Sequence, residues 1–453
     1  MSRYTSATDD DRRAMLAAIG AESIDALFDD VPVGVRLGRA LDLPPGKPEQ
    51  EVYGYLRELA AMNVSAEDEL SFVGAGMYDH YVPALIDSIL ARSEFLTPYT
   101  PYQPEASQGT LQVMFEYQTA ISELTGLPVS NATLYEAPSA AASAGWLAHQ
   151  QNRRGRFLVS RGLHPHSREA LATTSAGWAT AVEEIPLADG VTDPEALAAA
   201  VSDDVSAVFL QNPNFLGAVE DLEALVPVAK AAGALVVVQC DAIPLGILRP
   251  PGEFGVDIAV GEGQPLGNRL DFGGPSFGFF ATRQDFIRRM PGRIAGQTTD
   301  VDGRRGFVLT LQTREQHIRR EKATHNITTA QTLNALAAIV YLSWLGREGL
   351  VELGELLLQR TAYARDALTA IEGVEPLHSQ PVVREFAVTL DADVDAVIER
   401  CAADGVNPGY PLVRDYPEFQ NGLLVALTEQ RGKADIDRLA STLQAAVREA
   451  VPA

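Results

Sequence analysis

The chain has 453 residues, 46% of them hydrophobic, with 60 acidic side chains against 36 lysines and arginines, for a net charge of −24. That length suffices for a large core and two domains, and the charge argues against nucleic acid, whose phosphates such a surface repels. Two cysteines, Cys240 and Cys401, give neither a disulfide framework nor zinc spacing, which points to a reducing compartment.

The lysines are only Lys47, Lys230, Lys322 and Lys433, and arginine supplies the remaining positive charge. An acidic surface so poor in lysine points to a salt-rich cytoplasm. Met1-Ser-Arg-Tyr leads into Asp9-Asp-Asp rather than an apolar run, so no signal peptide is expected. The longest apolar helix candidate, Thr332 to Leu345, is too short for a membrane span and carries Thr332, Asn334 and Ser343. A soluble, cytoplasmic protein is the expectation.

Residues 1–63 read as a helical leader. Asp9 or Asp10 is placed to cap a helix through Ile19, with Gly20 as its stop. From Gln50 to Met62 the apolar spacing is helical again, with Val52, Tyr53, Leu56, Leu59 and Ala60 on one face. Phe72-Val-Gly-Ala-Gly-Met-Tyr-Asp-His80 is a glycine-punctuated turn; its GxG lacks the third glycine of a phosphate loop, and His80 reads as a turn-stabilising hydrogen-bonder. In Leu96-Thr-Pro-Tyr-Thr-Pro-Tyr-Gln-Pro-Glu105 the prolines recur every third residue, the period of polyproline II. That predicts a stiff rod with Tyr99, Tyr102 and Glu105 on one edge and Thr100 and Gln103 on another, either a pocket wall or a loop spanning the surface.

A helix follows from Gly109 to Thr125, closed by Gly126. Asn131 to Ala148 reads as a strand end and turn running into an alanine-rich helix. A βα rhythm comes next, with strands predicted at Arg156–Ser160, Thr180–Ile185, Ser206–Gln211, Leu235–Cys240, Asp257–Val260 and Phe277–Ala281. Helices at Ser167–Ala176, Pro194–Val201 and Asp221–Ala232 alternate with them, as in a doubly wound, mostly parallel α/β sheet. His164-Pro-His166 lies on a loop after a strand without the acids or cysteines a metal would need, so no metal is expected. Gln211-Asn-Pro-Asn-Phe215 and Asp241 lie at strand ends, where open sheets bind ligands. Arg304, Arg305, Arg314, Arg319, Arg320 and Lys322 form a basic island interleaved with Glu315 and Glu321; a salt-bridged helix and an anion- or subunit-facing surface both fit it. After Ile327 the pattern predicts a smaller α/β domain, giving an organisation of 1–63, 64–330 and 331–453.

Ala234 to Ala281, with a strand-end Asp241 facing the glycine-rich loop Gly261-Glu-Gly-Gln-Pro-Leu-Gly-Asn-Arg-Leu-Asp-Phe-Gly-Gly-Pro275, resembles the centre of a fold-type-I pyridoxal-phosphate (PLP) enzyme. In such enzymes the aspartate meets the pyridine nitrogen, a lysine on the next loop holds the cofactor as a Schiff base, and a helix N-terminus takes the phosphate. Here that loop contains no lysine, and at the helix start Pro138 removes an N–H donor while Glu136 adds a negative charge.

More specifically, Phe72-Val-Gly-Ala-Gly-Met-Tyr78, Tyr99-Thr-Pro-Tyr-Gln-Pro-Glu105, Gln211-Asn-Pro-Asn-Phe215, Gly261-Glu-Gly-Gln-Pro-Leu-Gly267, Phe272-Gly-Gly-Pro275 and Arg314-Glu-Gln-His-Ile-Arg-Arg-Glu-Lys-Ala-Thr324 resemble the glycine dehydrogenase (decarboxylating) family, the P-protein of the glycine cleavage system. More narrowly, the chain is similar to the α chain of its split, heterotetrameric form. The resemblance implies PLP-dependent glycine decarboxylation with transfer of the aminomethyl group to the lipoyl arm of the H-protein, in an α2β2 assembly whose β chain carries the Schiff-base lysine. Counting back from Gly273-Gly-Pro275, Gln264 matches that lysine, and a glutamine forms no imine. No covalent PLP is therefore expected on this chain, which alone would be inactive. His164, Asn212, Asp241 and Gln264 would be remnants of a cofactor site, while Tyr99, Thr100, Tyr102 and Gln103 would line the partner's pocket. The alternatives are a purely structural or regulatory subunit, or a stand-alone PLP enzyme using another lysine such as Lys230 or Lys322. From the acidic composition, the melting temperature is predicted to rise with added KCl, as screening relieves self-repulsion; a flat or falling curve removes the salt-adapted reading.

Overall fold

The computed structural model describes residues 6–65, 68–271, 274, 276–327 and 330–450. Phe272, Gly273 and Pro275 of the glycine-rich loop lie outside them. The chain divides into two compact units, Met1–Val64 and Ser65–Ala453.

Among its described residues the first unit holds two α-helices, α1 (Asp9–Ile19) and α2 (Glu49–Ala60). The cap of α1 is Thr8, not Asp9 or Asp10: its hydroxyl accepts from Asp11 N–H at 3.2 Å while the Asp11 carboxylate accepts from Thr8 N–H at 2.8 Å. This reciprocal box satisfies two otherwise orphaned donors and leaves Asp9 and Asp10 in the first turn, where the helix dipole favours them. Gly20 ends the helix at φ 73°, as its lack of a Cβ permits.

The second unit is built on a seven-stranded sheet of β1 (Val129–Ser130), β2 (Arg156–Ser160), β3 (Ala181–Ile185), β4 (Val205–Asn212), β5 (Leu235–Cys240), β6 (Ile258–Glu262) and β7 (Gly278–Thr282). Their order is β1-β7-β6-β5-β4-β2-β3. The five from β2 to β6 pair in parallel, and all but the edge strand β3 have buried apolar runs, as befits strands covered on both faces. The predicted parallel run at Phe277–Ala281 is instead β7, antiparallel to both β6 and β1. The connection between β6 and β7 is the glycine-rich loop 263–277.

Around this sheet lie α3 (Gln108–Thr125), α4 (Ala137–Asn152), α5 (Pro165–Ala176), α6 (Pro194–Ala200) and α7 (Leu222–Ala231). An antiparallel ribbon of β8 (Ile294–Thr299) and β9 (Arg305–Thr310) packs on α3. The long α8 (Thr332–Thr369) breaks at Gly346, whose φ of 62° interrupts two helices. A second sheet, in the order β10 (Val374–Pro376), β11 (Glu385–Leu390), β13 (Gly422–Ala426), β12 (Tyr410–Pro411), is wholly antiparallel. With α9 (Val394–Ala403) and α10 (Lys433–Ala450) it encloses a second apolar core, distinct from that of the large sheet. Leu70 and Ser71 pair with Val406 and Asn407, so the glycine turn that follows departs from this smaller core toward the large sheet.

The two cores meet where the loop after β4 presses on the start of β11. Gly217 sits there at φ +86°, and a Cβ on it would lie 2.0 Å from the carbonyl oxygen of Glu385. Gly217→Ala is predicted to cost about 2 kcal/mol or more from left-handed strain and backbone overlap together, read as a lowered melting temperature. Gly155→Ala, where nothing lies within 4 Å, is the control expected to leave the melt unchanged.

Candidate functional site: a strand-end cavity and an aromatic cleft

The C-terminal ends of β4, β5 and β6, the start of α4, the glycine turn and the first residues of β11 enclose a cavity of about 500 Å3. It lies at the carboxyl edge of the sheet, as the strand-end residues predicted, and its walls include His164, Gln211, Asp241, Glu262, Arg384 and Glu385. Among the described residues no group of three or more His, Cys, Asp or Glu side chains is placed to hold a metal.

Gln264, expected from the family resemblance to stand at a cofactor-lysine position, is fully buried. Its carbonyl oxygen accepts from Tyr78 N–H at 3.0 Å, and its amide nitrogen donates to the carbonyls of Tyr78 at 3.1 Å and Asn268 at 2.7 Å. Both ends of the amide are thus spent on backbone, fastening the glycine turn to the large sheet. Asp241 forms an ion pair with Arg384, which is 3% exposed, and also accepts from Ile243 N–H at 3.2 Å. The Arg384 guanidinium stacks 3.3 Å from the centroid of the Tyr78 ring and donates to His80 Nε2. His80 therefore carries its proton on Nδ1, which donates to Glu429 at 2.6 Å. The Tyr78 hydroxyl donates to Glu385 at 2.7 Å, and Ala75 N–H donates to the same carboxyl group at 2.8 Å. Burial pushes Glu385 up to about 7.

The start of α4 is equally closed to a phosphate. Ala137 N–H donates to Glu262 at 3.1 Å, Pro138 has no N–H, and Ser139 N–H donates to the capping Glu136 at 3.1 Å. Glu262 is itself held by Gln264 N–H at 3.0 Å and by the Ser276 hydroxyl at 2.6 Å, and burial raises its pKa. Two carboxylates thus occupy the positive helix end that an anion would need. None of the chain's lysines lines the cavity: Lys230 pairs with Asp257 at 2.6 Å and Lys433 with Asp437 at 2.6 Å. The residues present do not fit PLP, either as an imine or through its phosphate.

The other predicted remnants divide. His164 lies in the cavity wall, but both ring nitrogens are used: Nδ1 accepts from His166 N–H at 3.1 Å and Nε2 donates to Ala75 carbonyl at 2.9 Å. Burial lowers its pKa to about 4, so the ring is neutral. Asn212 is not among the lining residues; its side chain accepts from Glu220 N–H at 3.0 Å and shapes the loop behind the cavity. Sequence reasoning did not assign roles to Arg384, Glu385 or Glu429, which stand more than a hundred residues from Asp241 and belong to a different sheet or its connections. Glu262 carried a signal, an acid opening the glycine-rich loop, that went unread.

The tyrosine segment does not hold a uniform polyproline rod. Tyr102 N–H donates to Thr100 carbonyl at 2.8 Å, a tight turn absent from that helix, and Pro104–Ala106 form a 3-10 turn. Pro101 is buried as the anchor, while Tyr99 is 75% exposed, Tyr102 and Gln103 face outward and Thr100 is half-buried. Tyr102 also edges a second cleft of about 1030 Å3, floored by Trp146 and Trp178 from α4 and the turn after α5 and bounded by residues 316–327. The basic island is not one salt-bridged helix. It runs as short turns, Gln312–Arg314, Gln316–Arg319 and Arg320–Lys322, in which Arg314 and Glu315 are buried. Arg314 turns inward because backbone carbonyls of Met290, Gly292 and Leu311 accept from its guanidinium.

A family model described as the glycine cleavage system P-protein matches residues 2–443. A protein of Moorella thermoacetica named a probable glycine dehydrogenase (decarboxylating) subunit 1 is 48% identical over 97% of this chain and 99% of its own. A crystal structure of glycine decarboxylase (P-protein) of the glycine cleavage system, in inhibitor-bound form, superposes with a TM-score of 0.91 at 43% identity, covering 98% of this chain and 100% of that one. A cysteine desulfurase from Escherichia coli shares the fold, with a TM-score of 0.64 at 14% identity over 85% of this chain and 96% of that one. The chain belongs to the glycine cleavage system P-protein family, in its subunit 1 form.

Proposed function

We propose that this chain is the α subunit of a two-chain glycine decarboxylase and that it completes an active site whose cofactor is held by the β subunit, in an α2β2 assembly. The observation that carries this reading is the chemistry of the cavity wall: a glutamine at the expected lysine position with both ends of its amide satisfied, beside a helix N-terminus already capped by two carboxylates. A chain of this family whose own cavity rejects the cofactor needs a partner that holds it. When bound in that partner, PLP supplies the electron sink for loss of CO2 from glycine.

What this chain brings is surface. Tyr99, Thr100, Tyr102 and Gln103 project outward or sit half-buried from a segment pinned by Pro101, as a wall lent to a neighbour would. Set against the partner's pocket, the two tyrosines would exclude water, so that the carbon left by CO2 meets the lipoyl disulfide of the H-protein before a solvent proton. No described helix is long and apolar enough to cross a membrane, and the reading places the complex in the cytoplasm.

Tyr99→Ala is predicted to leave αβ assembly intact and to lower glycine–bicarbonate exchange by roughly tenfold or more, because a displaced wall admits water and loosens the substrate; wild-type exchange by the intact mutant complex would contradict the role. The isolated chain, incubated with PLP and reduced with borohydride, is predicted to show no pyridoxyl adduct at a defined lysine by mass spectrometry. Gln264→Lys alone is expected to gain none either, since the first-turn N–H groups of α4 stay occupied. A stoichiometric adduct in the variant would mean that the phosphate cradle is open after all.

A further inference from the structure

Behind Tyr102, at the edge of the aromatic cleft, lies a closed ring of contacts among Arg293, Glu315, His317 and Tyr102. Arg293, 2% exposed just before β8, donates through Nη2 to the Tyr102 hydroxyl at 3.2 Å, and its guanidinium lies 5.6 Å from the centre of the Tyr102 ring. Glu315, also 2% exposed, sits 3.7 Å from Arg293 and 3.4 Å from Nδ1 of His317. His317 returns to the start, its ring edge-on to Tyr102 with centroids 5.6 Å apart. The backbone under each charged residue is pinned: Arg293 carbonyl accepts from Ala132 N–H at 2.8 Å, and Glu315 N–H donates to Gln312 carbonyl at 2.9 Å.

Taking a guanidinium and a carboxylate out of water costs several kcal/mol per ion, so the contacts that these two buried charges make are what holds them there. The pair reaches outward to two groups, Tyr102 and His317, and both line the cleft. Tyr102, though 44% exposed, is thereby held at its hydroxyl, its face and its edge. We infer that Arg293 and Glu315 are positioning residues for the reaction, fixing the ring of Tyr102, with His317 against it, in the wall that this chain presents to the partner's pocket. The inference rests on the reading of residues 99–103 as that wall and adds the buried device that sets one of its tyrosines.

The test is a double-mutant cycle in the reconstituted complex, with assembly checked by size-exclusion chromatography and glycine–bicarbonate exchange read as kcat and KM separately. Arg293→Lys and Tyr102→Phe are each expected to lower kcat several-fold with a smaller change in KM for glycine. The double variant is expected to be no slower than the slower single one, because both changes remove the same contact. Multiplying effects would overturn the inference, since Arg293 would then act independently of Tyr102, as a purely structural residue does. If Arg293→Lys fails to assemble, Glu315→Gln, which keeps the shape and removes the charge, carries the same cycle against Tyr102→Phe with the same two outcomes. Wild-type exchange by Tyr102→Ala would overturn the inference by a different route, removing Tyr102 from the wall while leaving Tyr99→Ala to decide the wall itself.

Discussion

One buried amide organises the site: Gln264 gives its carbonyl and its nitrogen to the backbone of Tyr78 and reaches on to Asn268. A lysine there would have a free amine and a flexible stem; the glutamine has neither, and it turns a reactive position into a fastener. With Tyr78 fixed, its ring becomes the platform on which Arg384 stacks, and Arg384 neutralises Asp241 at the end of β5. The Tyr78 hydroxyl in turn holds Glu385 at the start of β11. The large sheet, the glycine turn and the smaller sheet thus meet through one connected polar network, whose members are costly to bury singly and affordable only together.

The electrostatic logic follows from the same substitution. A strand-end aspartate and a helix N-terminus are opposite poles suited to a ligand carrying a positive ring nitrogen and a negative phosphate. In this chain each pole is met from within, the aspartate by Arg384 and the helix end by Glu262 and Glu136. The crevice keeps its place and its shape while its charges face one another. On the proposed reading, this would divide the labour between a subunit that does chemistry and one that lends surface.

Much of this was legible in one dimension. Strands Arg156–Ser160 and Leu235–Cys240 have the bounds their apolar runs gave, because a strand buried on both faces leaves a continuous signal ended sharply by polar residues. The loop without a lysine, and Pro138 and Glu136 at the head of α4, were readable as local chemistry. The direction of β7 was not, since a short apolar run is the same parallel or antiparallel. The tyrosine segment misled for a related reason: proline spacing fixes φ at each proline but not the turn between Thr100 and Tyr102, nor the burial of Pro101 that sets which face looks out. Arg384 and Arg293 were beyond reach because their partners lie far away in sequence, and an isolated arginine carries no periodicity to betray it.

Cofactor stoichiometry in the reconstituted αβ complex separates this account from its alternatives. Borohydride reduction followed by peptide mass spectrometry should yield one pyridoxyl group per αβ pair, all of it on the partner chain, with every lysine of this chain unmodified. Two groups per pair, or a defined adduct on any lysine of this chain, would show that the cavity beside Gln264 still takes the cofactor and that the division of labour is wrong.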